Sequence, residues 1–129
     1  MVNSSRNPRP EVPRGSLGFE AETLAADYLM HHGLTIVARN FRTRFGEIDL
    51  IARDGSTLVF VEVRMRSSGG FGGGLESITA AKRARIVKAA NGYLATLERE
   101  PACRFDAVVM QRLARDSIVW RRDILGVDA

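Results

Sequence analysis

The chain has 129 residues, 45% of them hydrophobic, which suits one domain around one core. Its single cysteine, Cys103, excludes an intrachain disulfide and a multi-cysteine zinc centre, and no apolar run approaches the roughly 20 residues that a bilayer span needs. The formal net charge is +4, with 19 Lys and Arg against 15 Asp and Glu, a balance compatible with a nucleic-acid partner.

Residues 1–15 are polar and punctuated by Pro8, Pro10 and Pro13, so a disordered tail without a signal-peptide core is expected, followed by a single domain over 16–129 in a cytoplasmic protein. Ser16 to His32 has helical spacing, with Leu17, Ala21, Leu24 and Tyr28 on one stripe, Ser16 as cap and Gly33 as terminator. Leu34–Arg39, Glu47–Arg53 and Thr57–Arg64 are strand-like. Asp54-Gly55 between the last two signals a hairpin. The glycine-rich 67–74 is expected to be a mobile loop. A second helix is expected from about Thr79 to Glu98, then a strand over Arg104–Gln111 and a short last one over Ser117–Arg122. The order α-β-β-β-α-β predicts an α/β fold with a mixed sheet, the second helix making a right-handed crossover between parallel strands.

The hairpin carries the chemistry. Alternation places Ile48 and Leu50 on one face and Glu47 and Asp49 on the other; in the next strand Phe60, Glu62 and Arg64 share a face. Two registers are open. With Arg53 opposite Leu58, Asp49 faces Glu62 and Glu47 faces Arg64; with a two-residue Asp-Gly turn, Glu62 faces Glu47. Both bring carboxylates together, which repel unless a cation sits among them. Mg²⁺, held by one or two carboxylates plus substrate phosphate, resolves the conflict. The rival reading is a solvated face of cross-strand ion pairs. Against it, Val59, Phe60, Val61 and Val63 mark the strand as buried on both faces, where idle charges are costly.

Other candidates frame this stretch. Glu20 and Glu22 both flank the apolar stripe of the first helix, and periodicity does not choose between them. In the second helix Lys82, Arg85 and Lys88 lie away from the apolar arc and Arg83 within it. Lys82 and Arg83 stand in the first turn, where cations oppose the helix dipole unless an anion docks there. Arg39, Arg42 and Arg44 interleave with Phe41 and Phe45, a pattern that suits nucleic acid or, for the rings, a core. His31 and His32 offset the dipole at a helix end. Cys103 and Trp120 are assigned to packing.

Several motifs together resemble a known family: G-x-x-A-E-x-x-A-x-x-Y-L from Gly18 to Leu29, RNFRTRFGEIDLIARDG from Arg39 to Gly55, VFVEVRMR from Val59 to Arg66, FGG with T-x-x-K between Phe71 and Lys82, and RFDAVV from Arg104 to Val109. They resemble the bacterial YraN family of uncharacterised, endonuclease-like proteins, over residues 17 to 110. The resemblance implies the restriction-endonuclease-like three-layer core shared with archaeal Holliday-junction resolvases. It implies catalytic residues at Glu22, Asp49, Glu62 and Arg64, and Mg²⁺ or Mn²⁺ held by Asp49, Glu62 and the Val63 carbonyl. Nucleic acid, DNA rather than RNA, would lie against Arg42, Arg44, Arg66, Lys82, Arg83 and Arg85, with branched DNA and a homodimer as further implications. One departure matters: Arg64 stands where the superfamily pattern has lysine, and arginine stays protonated, so it can stabilise charge but not accept a proton. The rival to a metal-dependent endonuclease is a non-catalytic nucleic-acid-binding module that retains the fold; a protein-interaction module is a second rival.

Overall fold

The computed structural model describes residues 17–66 and 80–126. The expected N-terminal tail, the Ser16 cap and the glycine-rich loop 67–74 lie outside the described residues. Helix α1 runs Leu17–His31, strands β1, β2 and β3 run Thr35–Thr43, Gly46–Asp54 and Thr57–Met65, helix α2 runs Ala80–Leu94, and β4 runs Cys103–Met110. A 3-10 turn, Arg115–Ser117, precedes the short strand β5, Val119–Arg121.

The five strands form one mixed sheet in sequence order. β1–β2, β2–β3 and β4–β5 are antiparallel, and β3–β4 is parallel, as a helical crossover between them predicts. β3 is the middle strand, and Leu58, Val59, Phe60 and Val61 are all buried. On one face Ala21, Ala25 and Leu29 of α1 pack against Leu50, Ala52, Val59, Val61, Val108 and Met110. On the other, Ala89 and Ala90 of α2 pack against Ile48, Ile51, Leu58, Phe60 and Phe105. The result is a three-layer α/β/α core. Alanines on both helices let their backbones lie close to the sheet, while each fully buried large side chain such as Phe60 or Leu50 contributes about 1.5–3 kcal/mol.

α1 ends as its sequence predicts. Gly33 has φ 95°, its N–H donates to Met30, and the Leu34 N–H donates to Leu29, a Schellman closure. α2 ends earlier than expected. After Leu94 the chain turns through Thr96 and Leu97, whose N–H groups donate to carbonyls three residues back. β1 is longer than expected: it bulges between Ile36 and Ala38 and continues to Thr43, forming a hairpin with β2 through Arg44-Phe45. The Thr43 hydroxyl makes this turn, accepting from the N–H groups of Phe45 and Gly46 and donating to the Gly46 carbonyl.

Between β2 and β3, Arg53 faces Leu58 and Asp54 faces Thr57, so Gly55-Ser56 is the turn and Gly55 takes φ 62°. This is the first of the two registers. It does not run the length of the strands, because the pairing stops at Leu50–Val61. Strict alternation fails at the same place: Ile48 packs on the α2 side, whereas Leu50 packs on the α1 side. The expected shared face of Ile48 and Leu50, and the expected Glu47–Arg64 opposition, are therefore corrected. The packing side changes between Ile48 and Leu50, which flank Asp49.

Candidate functional site

Asp49 lies where the β2–β3 ladder opens. Its Oδ2 accepts the backbone N–H of Val63 at 2.8 Å, so a side chain takes a position that a strand carbonyl would otherwise fill. On its other side β1 is irregular too. Asn40 lies between the pairs Arg39–Leu50 and Phe41–Ile48, and it adopts φ 52°, the left-handed region that asparagine tolerates. Asn40 Nδ2 donates both to Glu22 Oε1 and to Glu47 Oε2, each at 3.0 Å. One amide thus ties α1 to β2 beside Asp49.

Glu22 is buried, 9% exposed, whereas Glu20 is exposed. Arg39 Nη2 stands 3.7 Å from Glu22. Glu47 is held by Arg42 at 3.2 Å rather than by Arg64. Glu62 reaches from β3 toward α2, where its Oε2 accepts from Arg64 Nε at 3.0 Å and lies 3.3 Å from Lys82 Nζ. Arg64 Nη2 is buried and has no acceptor among the described residues. Glu22 therefore approaches from the α1 face and Glu62 from the α2 face, with Asp49 between them in the plane of the sheet.

The electrostatics follow from this crowding. Burial, then the charges of Glu22, Glu62 and Glu47, push the Asp49 carboxyl up from 3.8 to about 7, although the Val63 N–H pulls it down. A cavity beside it is lined by Gly46, Glu47, Asp49, Glu62, Lys82 and Arg85. The acids Glu47, Asp49 and Glu62 share this lining with Lys82 and Arg85 of α2. Among the described residues no three His, Cys, Asp or Glu side chains form a ready-made metal cluster.

The remaining predicted residues fall at different distances from this cavity. Arg44 stands over the Phe45 ring, and Arg85 is exposed. Arg83 donates to the Leu125 carbonyl at 3.2 Å and so fastens the C-terminal turn to α2. The Arg66 backbone N–H extends the β3–β4 ladder by donating to Met110. Phe41 is a core residue, edge-on to Tyr93, while Phe45 is exposed. Cys103 is half-buried, and burial raises its thiol, which agrees with a packing role. His31 and His32 lie against the Asp27 and Tyr28 carbonyls through Nδ1.

Sequence reasoning missed two polar residues. Asn40 lies among the arginines of β1, and neither its left-handed backbone nor its contacts with Glu22 and Glu47 are written in the strand pattern. Asp106, in RFDAVV, is 1% exposed and fully satisfied: it accepts from Arg104 Nε, Trp120 Nε1 and the Asp123 N–H. It anchors the C-terminal segment to β4.

Fold and site together define a class: a three-layer α/β/α protein in which an opened strand pair presents a carboxylate cluster to a basic helix. The chain belongs to the uncharacterised protein family UPF0102, the YraN family, whose model matches residues 21–110. A UPF0102 protein of Nitrosospira multiformis is 50% identical over 111 residues, covering 86% of this chain and 93% of the relative. One from Nitrosomonas europaea is 50% identical over 109 residues, covering 84% and 92%. One from Cupriavidus taiwanensis is 50% identical over 121 residues, covering 92% and 89%.

Proposed function

We propose that this protein is a cytoplasmic, metal-dependent endonuclease acting on DNA. One observation carries the reading: Asp49 sits in an opened ladder among Glu22, Glu47 and Glu62, beside a cavity that Lys82 and Arg85 also line. Such a concentration of acids beside cations is costly for a merely structural surface.

The donors suit a hard cation. Asp49 uses Oδ2 for Val63, and Glu62 uses Oε2 for Arg64 and Lys82, leaving Oδ1 and Oε1 as oxygen ligands. Val63 points its N–H at Asp49, and a strand residue presents N–H and C=O on one edge, so its carbonyl is a third donor. The chemistry that Mg²⁺ or Mn²⁺ supplies in such a place is a water of lowered pKa and neutralisation of phosphate charge. The chain's own groups do the rest. The Val63 N–H orients Asp49. Asn40 holds Glu22 and Glu47 apart from each other by donating to both. Arg64, which also holds Glu62, stabilises charge developing on a phosphate oxygen. Lys82 and Arg85 hold the strand.

The test is cleavage of single-stranded, duplex and branched DNA, and of RNA, by protein freed of contaminating nuclease, with Mg²⁺ or Mn²⁺. Asp49→Ala and Glu62→Ala should each lower the rate at least about a hundredfold. Equal cutting by wild type and both variants overturns the reading.

A second reading has its own support. Arg64 and Lys82 already neutralise Glu62 without any metal, as they would in a non-catalytic nucleic-acid-binding module. It predicts salt-dependent binding that survives Asp49→Ala, with no cleavage under any divalent cation.

A further inference from the structure

The β1–β2 hairpin tip is built unlike an idle turn. Two-residue hairpin turns ordinarily carry Asn-Gly, Asp-Gly or similar small polar pairs. Here the tip is Arg44-Phe45, and the Phe45 ring is 42% exposed. The turn is nonetheless rigid, because the Thr43 hydroxyl holds the N–H groups of Phe45 and Gly46 and the Gly46 carbonyl. The tip also lies close to α2: a Cβ at Gly46 would come 3.8 Å from the Cβ and carbonyl of Arg85, and one at Gly92 would come 3.3 Å from Thr43 Cγ2. The ring is thus held out on a fixed mount.

Its neighbours are cations. The Arg44 guanidinium lies 5.4 Å and Lys88 Nζ 5.0 Å from the ring centre. Among the described residues neither has an acidic partner, and nor does exposed Arg85. Nearby basic groups do: Arg42 pairs with Glu47 and Lys82 with Glu62. Two cations over an exposed ring, with Arg85 beside the neighbouring Gly46, amount to an aromatic platform with phosphate-binding groups at its rim.

The platform is continuous with the acidic site. Gly46, next in the chain, lines the cavity shared by Asp49, Glu62 and Arg85. Along β2, Phe45 precedes Asp49 by four residues, about 13 Å at strand rise. A nucleic-acid strand at stacked spacing covers that distance in about four nucleotides, and a drawn-out strand in fewer.

We infer that Phe45 is a stacking residue for an unpaired nucleobase, with Arg44, Arg85 and Lys88 on the flanking phosphates. The substrate then contains a single-stranded segment close to the phosphate at Asp49, as in a flap, a gap or an opened branch, rather than continuous duplex. The physical reason is access. In a duplex both faces of each base are covered by its neighbours, and exposing one costs unstacking. A cation over an exposed ring gains less than a stacked base, so a base displaces the cation, which turns to phosphate. This inference rests on the nucleic-acid reading above and specifies its substrate.

The experiment is fluorescence anisotropy without divalent cation, at about 50 mM salt, comparing a labelled single strand with blunt duplex of the same sequence. Wild type should bind the single strand more tightly. Phe45→Ala should weaken single-strand binding about tenfold while leaving duplex binding within about twofold, and Phe45→Trp should restore it. Lys88→Ala should weaken both and flatten the salt dependence. If Phe45→Ala changes neither, changes both equally, or is not rescued by Phe45→Trp, the stacking role is overturned and the nucleic-acid reading stands. If wild type binds neither ligand, the nucleic-acid reading itself falls, and this inference with it. Phe45 is exposed at a turn, so the variants keep the fold, which a thermal melt of each verifies.

Discussion

The carboxylate of Asp49 accepts the backbone N–H of Val63 at 2.8 Å, across a strand pair whose ladder has ended one residue earlier. The sheet is thereby opened where Glu22, Glu47 and Glu62 approach the same point. An opened ladder loses backbone hydrogen bonds and concentrates like charge, two costs that a site built only for stability avoids.

The first prediction concerns pH. The folded Asp49 carboxyl titrates near 7 and the unfolded one near 3.8. Between these values the folded state holds a proton that the unfolded state has lost, so stability falls as pH rises through this window and the full penalty is present above it. Asp49→Asn keeps an oxygen for Val63 and removes the charge. It should stabilise the protein by about 1–3 kcal/mol at pH 8 and by nothing measurable at pH 4, read from urea midpoints. An equal gain at both pH values contradicts the assignment.

Adding millimolar Mg²⁺ at pH 8 offers a complementary check on the proposed metal. A ligand that binds the folded state raises its melting temperature. The wild-type melt should move upward, and the melts of Asp49→Asn and Glu62→Gln should not.

Asn40 combines a left-handed backbone with two carboxylate contacts. Asn40→Gly loses only the contacts, while Asn40→Ala also forces Cβ into the left-handed region. Alanine should therefore be the less stable of the two by about 1 kcal/mol. Asn40→Asp sets a third negative charge against Glu22 and Glu47 and should be the least stable of the three above pH 5, recovering in acid. Denaturant titration of the three variants checks the ranking.

Gly92 sits in the last turn of α2, where an added Cβ would come 3.3 Å from Thr43 Cγ2. Thr43 cannot simply rotate away, since its hydroxyl holds the hairpin tip. Gly92→Ala should therefore fail to deliver the usual helix gain of about 0.5–1 kcal/mol. Combining it with Thr43→Ser removes Cγ2 while keeping the hydroxyl, and the gain should return. A double-mutant cycle measures the coupling between the two positions.

Asp106 is buried beneath three donors. Asp106→Ala leaves Arg104 Nε, Trp120 Nε1 and the Asp123 N–H without their acceptor, while Arg104 Nη2 keeps Asp54, and should cost about 3–5 kcal/mol. The loss should appear first as release of β5, visible as a change in Trp120 fluorescence.

What the sequence by itself determined is the local and periodic part. Apolar spacing located both helices, β-rich runs located the strands, Gly33 and Asp54-Gly55 marked a helix end and a turn, and the element order required a mixed sheet with one parallel pair. The motifs also pointed to the family that the comparisons show. Tertiary structure decided what depends on two strands meeting. The Arg44-Phe45 turn carries no glycine and is closed by the Thr43 hydroxyl, a contact that no propensity describes. The parity of β2 breaks between Ile48 and Leu50, where its pairing with β3 has ended while its pairing with β1 continues. Asn40, opposite this break on β1, takes the left-handed region, and its amide is placed on Glu22 and Glu47. Alternation is a property of one strand, but the direction of a side chain at an opened ladder belongs to the three strands that compete for it.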